Sequence, residues 1–332
     1  MPSSSLRQPS LTVLANGARV AGVTSARVST NNHFTAGSFS VQAALAAVDP
    51  NFWSDSTDIL LEVRMGLGGI EQSMMIGQVD TVEMEPIRGV MRVTGRDLAA
   101  QMIAARTQES FQNQTASQVA ETIAGRHGLA SSVTATRTPI GRYYQIEHDK
   151  ITLDRFHNAT TEWDLLVLLA RQEGFNLFVN NATLHFGQPQ AGAARLVLVP
   201  SDLLSLHMER ALTLAGEIKL TVKSWNSRQM SSCTSTASSG SGGIVQELVI
   251  VRPNLKQSEA DQLAQTLLAE LAAHQRTVAF TMPGEFTLAA QGTVALQGTG
   301  SAFDGTYNVL ELERSLSVTQ GFIQRVRAKA TT

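Results

Sequence analysis

One cysteine, Cys233, in 332 residues leaves nothing from which to build a disulfide framework or a thiolate metal cage. That scarcity predicts folding in a reducing cytoplasm. Long apolar runs are missing too: none approaches the ~20 residues that cross a bilayer, so no stable membrane insertion is expected. The opening MPSSSLRQPS has no apolar signal core and reads as a loose tail, so export by a signal-dependent route is not expected either. Charge of one sign is also scarce. A net charge of −2 gives no basic surplus for stable nucleic-acid binding. Arg314, Arg325, Arg327 and Lys329 gather near the C-terminus, and read as solvated faces of a terminal hairpin.

The signatures of common chemistries are absent as well. Gly66-Leu67-Gly68-Gly69 lacks the spacing of a dinucleotide loop, and strands follow where a helix is required; Gly298-Thr299-Gly300 leads into a hairpin and fails in the same way. There is no Gly-Lys-Ser/Thr phosphate loop and no Gly-x-Ser-x-Gly elbow. The seven histidines are scattered. His148, Asp149, Asp154 and His157 lie closest together, but they offer no ligand pair at i and i+4, so neither a metal nor another cofactor is expected. Glu147 and Asp149 sit at alternate positions, which on a strand would set two carboxylates on one face, about 6–7 Å apart at ~3.3 Å per residue. Nothing near them marks a substrate cleft, and exposed acids on a polar loop are the plainer reading. Tyr143 and Tyr144 could stack a sugar but are read as pinning the segment around them. Trp163 lies on an apolar helix and belongs to a core.

What is present is organised around residues 107–190. Thr115 with Gln118 forms a capping box, and Ala116, Val119, Ala120, Ile123 and Ala124 then mark one helical face that Gly128 ends. Thr161 with Asp164 repeats the device before Trp163 and Leu165 to Leu169, a helix apolar on most sides that Gly174 stops. Phe175–Val179 and Ala182–Phe186 read as two short strands joined at Asn180-Asn181. This makes a small α+β unit between two β-rich flanks.

In the first flank, LTVLA and RVAGV enclose Asn16-Gly17, a strong hairpin signal, and about six strands follow before a short helix from Asp97, enough for a closed or nearly closed barrel. Asp49-Pro50 and Gly66 to Gly69 read as turns between strands. In the second flank, LVLVP, GEIKLTVKSWN and IVQELVIVR read as strands. A long helix begins at Ser258 with Asp261, and four strands close the chain with turns at Asp304-Gly305 and Gln320-Gly321. The Ser/Gly/Thr tract within 226–243 reads as a long flexible hairpin tip, either a disordered loop and nothing more or a loop that becomes ordered when a partner arrives; in the second case Met230, Ser239 and Gly240 are its candidate contacts. The fold class is therefore α+β and mainly β, divided at 1–106, 107–190 and 191–332.

Several segments together, VTSARVSTNNHFTAGSFSVQAAL, VTGRDLAAQMIAART, FQNQTASQVAETIAGRHGL, GRYYQIEHD and TTEWDLLVLLARQEGFNLFV, resemble the phage late-control protein D family, the tail or baseplate hub proteins of contractile tails. The similarity extends over nearly the whole chain and includes VALQGTGSAFDGTYNVLELERSLSVTQGF near its end. It implies two tail-tube-like β-barrels around the insert, and a homotrimer that presents six similar modules in a ring. That ring would adapt a six-fold tail tube to a three-fold central spike and line the channel through which DNA passes. The implied partners are the tube, spike, baseplate wedge and tape-measure proteins, and the implied location is the virion tail, assembled in the host cytoplasm. No segment is left over for a fused cell-wall hydrolase, so the expected role is structural and not enzymatic. The hub of a type VI-like protein injector is the alternative within this fold; a tail-associated peptidoglycan hydrolase using Glu147 and Asp149 is the alternative outside it.

Overall fold

The computed structural model describes residues 8–107, 109–137, 139–140, 142–143, 151–153, 159–189, 196–226, 231–240, 245–252 and 255–331. The chain forms two compact units. The first holds Met1–Ala191, Pro283–Gln291 and Glu311–Gln324; the second holds Gly192–Met282, Gly292–Leu310 and Arg325–Thr332.

The first unit begins with strands β1 (Pro9–Ala15), β2 (Ala18–Arg19), β3 (Val23–Asn31) and β4 (Ser38–Ala44), helix α1 (Pro50–Asp55), and strands β5 (Leu60–Leu67), β6 (Ile70–Glu85) and β7 (Val90–Asp97). They pair antiparallel in the order β3-β4-β7-β6-β5-β1-β2, and Glu311–Ser317 adds a further antiparallel strand beside β3. Period-two alternation decides the faces. Val28, Phe39, Val41, Leu61, Val63 and Val93 turn into one apolar core, whereas Arg27, Arg92 and Arg96 turn out. Register shifts at Val63/Arg64 and Val79/Thr81 bend the sheet, as bulges do. The mainly-β reading holds, but among the described residues no closed barrel forms: β1 comes close to β3 without pairing to it. Asn16 and Gly17 both take positive φ in the β1–β2 turn, and Gly68 and Gly69 do so between β5 and β6. Asp49-Pro50 is not a turn between strands but the start of α1. The Asp49 side chain accepts from Asn51 N–H at 3.0 Å, and Pro50 occupies the first helical position.

The same unit continues with α2 (Ala99–Ala104), β8 (Phe111–Gln112), α3 (Ala116–Arg126), β9 (Ala130–Val133), β10 (Arg142–Tyr143), β11 (Ile151–Leu153), α4 (Glu162–Glu173), β12 (Asn176–Asn180) and β13 (Thr183–Gly187). Both capping boxes form as the sequence indicates, and Gly128 and Gly174 adopt the left-handed conformation. The β12–β13 turn lies one residue later than expected: Asn180 pairs with Thr183, and Asn181 takes the positive φ. Buried residues of α3 and α4, among them Ile123, Leu165, Leu166 and Leu169, pack with Leu184 and Phe186 of β13 into a second apolar core.

The second unit contains β14 (Leu196–Leu198), β15 (Ser205–Arg210), α5 (Leu212–Ala215), β16 (Glu217–Asn226), β17 (Ser231–Ser239), β18 (Val245–Val251), α6 (Gln257–Ala273), β19 (Arg276–Pro283) and β20 (Thr293–Leu296), with parts of β21 (Gly305–Ser317) and β22 (Gly321–Ala330). β15 is an exposed edge strand paired to β19 that the sequence pattern did not reveal. A separate three-stranded sheet, β17-β16-β18, carries α6 on one face. The Ser/Gly tract is thus not a hairpin tip: nine of its residues form β17 in unbroken register with β16. The cap of α6 lies two residues before the expected one, at Lys256, whose N–H donates to the Glu259 carboxylate at 2.9 Å. Asp261, the expected partner of Ser258, is bound by Gln257 Nε2 at 2.8 Å.

Two glycines in the first sheet make room for one ring. A Cβ on Gly95 would lie 2.3 Å from Phe39 Cζ and 2.2 Å from the Gln78 carbonyl oxygen, and one on Gly77 would lie 2.9 Å from Phe39 Cε1. Gly95→Ala is expected to destabilise the protein by about 1–3 kcal/mol, the usual cost of overpacking. Combining it with Phe39→Val should recover part of the loss in chemical denaturation. An unchanged midpoint for the single variant would show that the sheet gives way without cost.

Candidate partner-binding surface

Conventional chemistry has little foothold among the described residues. No group of three His, Cys, Asp or Glu is placed to hold a metal ion. No helix is long and apolar enough to cross a membrane. Glu147, His148, Asp149, Asp154, His157 and Tyr144 lie outside the described residues, and Tyr143 is placed only as backbone in β10. Trp163 is buried in the α3–α4 core, as its helix predicts. Cys233 is half-buried on β17, its thiol facing the Leu255 carbonyl at 3.5 Å. A shallow cleft of ≈ 420 Å³ opens in the first unit, lined by Trp53, Ser56, Thr57, Asp80 and Met84 among others. Its one carboxylate, Asp80, is bound through both oxygens by Arg96 at 2.7 and 2.9 Å, which suits anchorage better than proton transfer.

The buried polar groups act as joints. Asp97, at the end of β7, accepts from Gly37 N–H at 2.6 Å and from Ala99 N–H at 3.0 Å, so one carboxylate ties the start of β4 to the start of α2. Burial pushes its pKa up to about 6, against the pull of those two bonds and of Arg96. Glu162, almost wholly buried, is bound by Arg126 and by His127 Nε2, the latter at 2.5 Å. Burial works against the Glu285 carboxylate too, but bonds from Gln324, Thr287 and Leu288 hold it below its ordinary range. Arg314 is turned inward and donates to the Leu288 carbonyl, with burial lowering its pKa, whereas Arg325 and Arg327 are exposed on β22. The C-terminal basic cluster seen in sequence is therefore not one solvated face.

The surface that stands out is the outer face of β17-β16-β18. Alternation sends Ile218, Leu220 and Val222 toward α6 and leaves Lys219, Thr221, Lys223 and Trp225 outside. Parallel register sets Val245, Glu247, Val249 and Val251 of β18 beside them. Trp225, Val249 and Val251 are 56%, 58% and 71% exposed, unusual for large apolar side chains grouped on one strand pair. Of the contacts proposed from sequence, Met230 lies outside the described residues. Ser239 ends β17 opposite Ile218, and Gly240 follows with φ +94, its Cα hydrogen facing the Gly216 carbonyl where a Cβ would come within 2.9 Å. Neither belongs to the exposed apolar group. The signal that could have found the group was the run VQELVIV, whose apolar residues fall on both faces of one strand.

The model of the Alg8 N-terminal domain family matches residues 59–247, more than half of the chain. The chain belongs to the Alg8 N-terminal domain family. The family model that matches this member is thus a different one from the late-control family that its segments resemble. No curated protein matches it in sequence. Among solved structures, a prophage MuSo2 43 kDa tail protein from Shewanella oneidensis is 16% identical, with 98% of this chain and 99% of that chain covered, at a TM-score of 0.78. A tail protein from Neisseria meningitidis MC58 is 15% identical over 97% and 96%, at 0.77. An Escherichia coli component of the type VI secretion system, itself described as similar to the T4 bacteriophage tail proteins gp27 and gp5, is 12% identical over 96% and 77%, at 0.60. At these identities the likeness is one of fold: this chain has the mainly-β fold of phage tail proteins.

Asp97 gives this fold a measurable pH signature. Its folded-state pKa of about 6 lies above the ordinary 3.8, so the folded protein holds the proton more tightly than the unfolded chain. Stability from this group is fully present below about pH 4 and is lost as pH rises to about 6. Relative to Asp97→Asn, the parent should lose about 3 kcal/mol over that interval, at 1.36 kcal/mol per pKa unit. Urea denaturation of both proteins at stepped pH would test this; parallel curves would mean that Asp97 is not held in its neutral form.

Proposed function

We propose that this chain is a structural, non-enzymatic hub protein of a contractile phage tail, of the late-control protein D type. In this reading three copies form a ring that adapts the six-fold tail tube to the three-fold central spike and lines the channel for passing DNA. Its parts are a first tube-like domain at 1–106, the α+β insert at 107–190 and a second tube-like domain at 191–332. Its partners are the tube, spike, baseplate wedge and tape-measure proteins, and its place is the virion tail after assembly in the host cytoplasm. The observation that carries the reading is the end-to-end match of fold to two tail proteins, each covered at 96% or more. A symmetry adaptor works through its surfaces, which agrees with buried carboxylates that are saturated by internal donors.

The likeness to a type VI secretion component favours a second reading on the same fold, the hub of a protein-injecting machine. Neighbouring genes separate the two: capsid and terminase genes accompany a phage tail, effectors an injector.

Light scattering on the purified chain is expected to give three times its 35.6 kDa, alone or once a spike protein is added. Electron microscopy of tails carrying a labelled copy should place the label at the junction of tube and spike. A chain that stays monomeric with tube and spike proteins present would defeat the hub reading.

A further inference from the structure

Two exposed surfaces of this chain each set large apolar side chains beside charged ones. On the outer face of β16 and β18, Trp225, Val249 and Val251 form an apolar strip. Lys219 neutralises Glu247 at 2.9 Å, while the exposed Lys223 stands beside Val251 on the same face and the exposed Arg252 follows Val251 where the strand ends; neither forms an ion pair among the described residues. The surface is thus apolar with positive charge toward one end. In the first unit, the turn between β6 and β7 has the opposite character. Ile87 at its tip is completely exposed, and Glu83 and Glu85 are exposed on the strand leading to it. Glu85 has only an exposed partner, Arg88, at 3.3 Å, an ion pair that water already weakens. A fully exposed isoleucine beside two acids at a hairpin turn is suited to an exposed apolar strip that carries unpaired bases.

We propose that the β6–β7 tip of one copy docks on the outer β16–β18 face of the next copy. Ile87 enters among Trp225, Val249 and Val251, and Glu83 and Glu85 face Lys223 and Arg252. Tip and strip are different surfaces, so the contact is heterologous and each copy offers one of each; contacts of that kind propagate from copy to copy and end only when a ring closes. This inference rests on the ring reading above and names the contact that would build the ring. Desolvated apolar groups supply the affinity, and the charges set the register of approach.

Cross-linking and charge exchange test it together. In a Cys233→Ser background, Ile87→Cys and Val251→Cys chains are oxidised separately and as a mixture. The mixture should give covalent dimers at least ~10-fold above either chain alone. Lys223→Glu with Arg252→Glu should weaken self-association, read by sedimentation, by at least ~10-fold. Adding Glu83→Lys and Glu85→Lys should restore it toward the parent. Association that persists without the mixed cross-link, or that ignores the charge exchange, overturns this contact and leaves the ring intact. So does a patch variant that self-associates normally but fails to bind the spike protein, because the strip then belongs to the spike. A chain that does not associate under any condition, tube and spike proteins included, overturns both the contact and the ring.

Discussion

Three consecutive residues at the first turn of α4 fix that helix, Thr161 by bonds within α4 and Glu162 and Trp163 by bonds to other elements of the first unit. Thr161 caps the helix, its hydroxyl accepting from Asp164 N–H at 3.1 Å while the Asp164 carboxylate reaches back to Thr161 N–H at 3.2 Å. Glu162 binds Arg126 and His127 at the end of α3, and its own N–H donates to the Ala105 carbonyl at 2.9 Å. Trp163 donates its indole N–H to the Phe34 carbonyl at 2.7 Å, which connects α4 to the loop between β3 and β4. The charges also suit the helix ends they occupy, an acid at the N-terminus of α4 and bases at the C-terminus of α3. Loss of the Glu162 partners would leave a buried carboxylate uncompensated, at a cost of about 3–5 kcal/mol. Phe34 itself stands at φ +56, unfavourable for so bulky a residue. Its carbonyl is used by Trp163 and the Arg171 guanidinium lies 5.6 Å above its ring, so two contacts outside the loop offset the strain.

The features legible in the sequence are those whose chemistry is local. A threonine three residues before a glutamine or aspartate, a glycine after the last helical turn and Asn-Gly between short strands each satisfy their bonds within a few residues, and all of them appear as expected. The features that were misread depend on distant partners. Composition alone argues for a loose loop at Ser231–Ser239, yet Cys233, Ser235 and Ala237 face α6 while β16 pairs with the segment along its whole length. Small side chains are useful there because α6 lies close above them. β-propensity is largely a measure of fit to neighbours, and the sequence of β17 does not name its neighbours. The start of α6 was misplaced because two acids, Glu259 and Asp261, each stand three residues after a possible cap, Lys256 and Ser258, and the helix uses the first. The outer face of β16–β18 went unnoticed since a strand's pattern shows which positions are apolar and not what covers them.

The buried and partly buried carboxylates show how a protein can use charge to fix its geometry. Asp97, Glu162 and Glu285 each receive two or more fixed donors from the chain itself. Such a carboxylate has its lone pairs committed, and it specifies geometry because apolar packing alone would tolerate small slips between elements. The cost is a group like Asp97, whose burial opposes its ionisation even with both bonds in place. Fixed relations between strands and helices matter most where a surface must present the same shape to every neighbour.

β18 turns that argument outward. Its sequence, VQELVIV, is apolar at positions that alternate to both faces, the composition of a strand buried on both sides. The inner face meets this expectation in part, since Ile250 packs with the residues beneath α6 while Leu248 stays 38% exposed. The outer face does not meet it at all within the described residues, and the far edge of β18 has no strand beside it there. Natural edge strands are commonly guarded by charged residues, proline or a bulge; β18 carries one charge, Glu247, which Lys219 already neutralises, and its register against β16 runs unbroken over seven residues. Self-association through an unguarded edge is a hazard for a protein that works alone, whereas for one that works in an assembly the same edge and face are a surface kept free for a neighbour. The residues of β18 thus fit an edge and a face that a neighbouring molecule could cover.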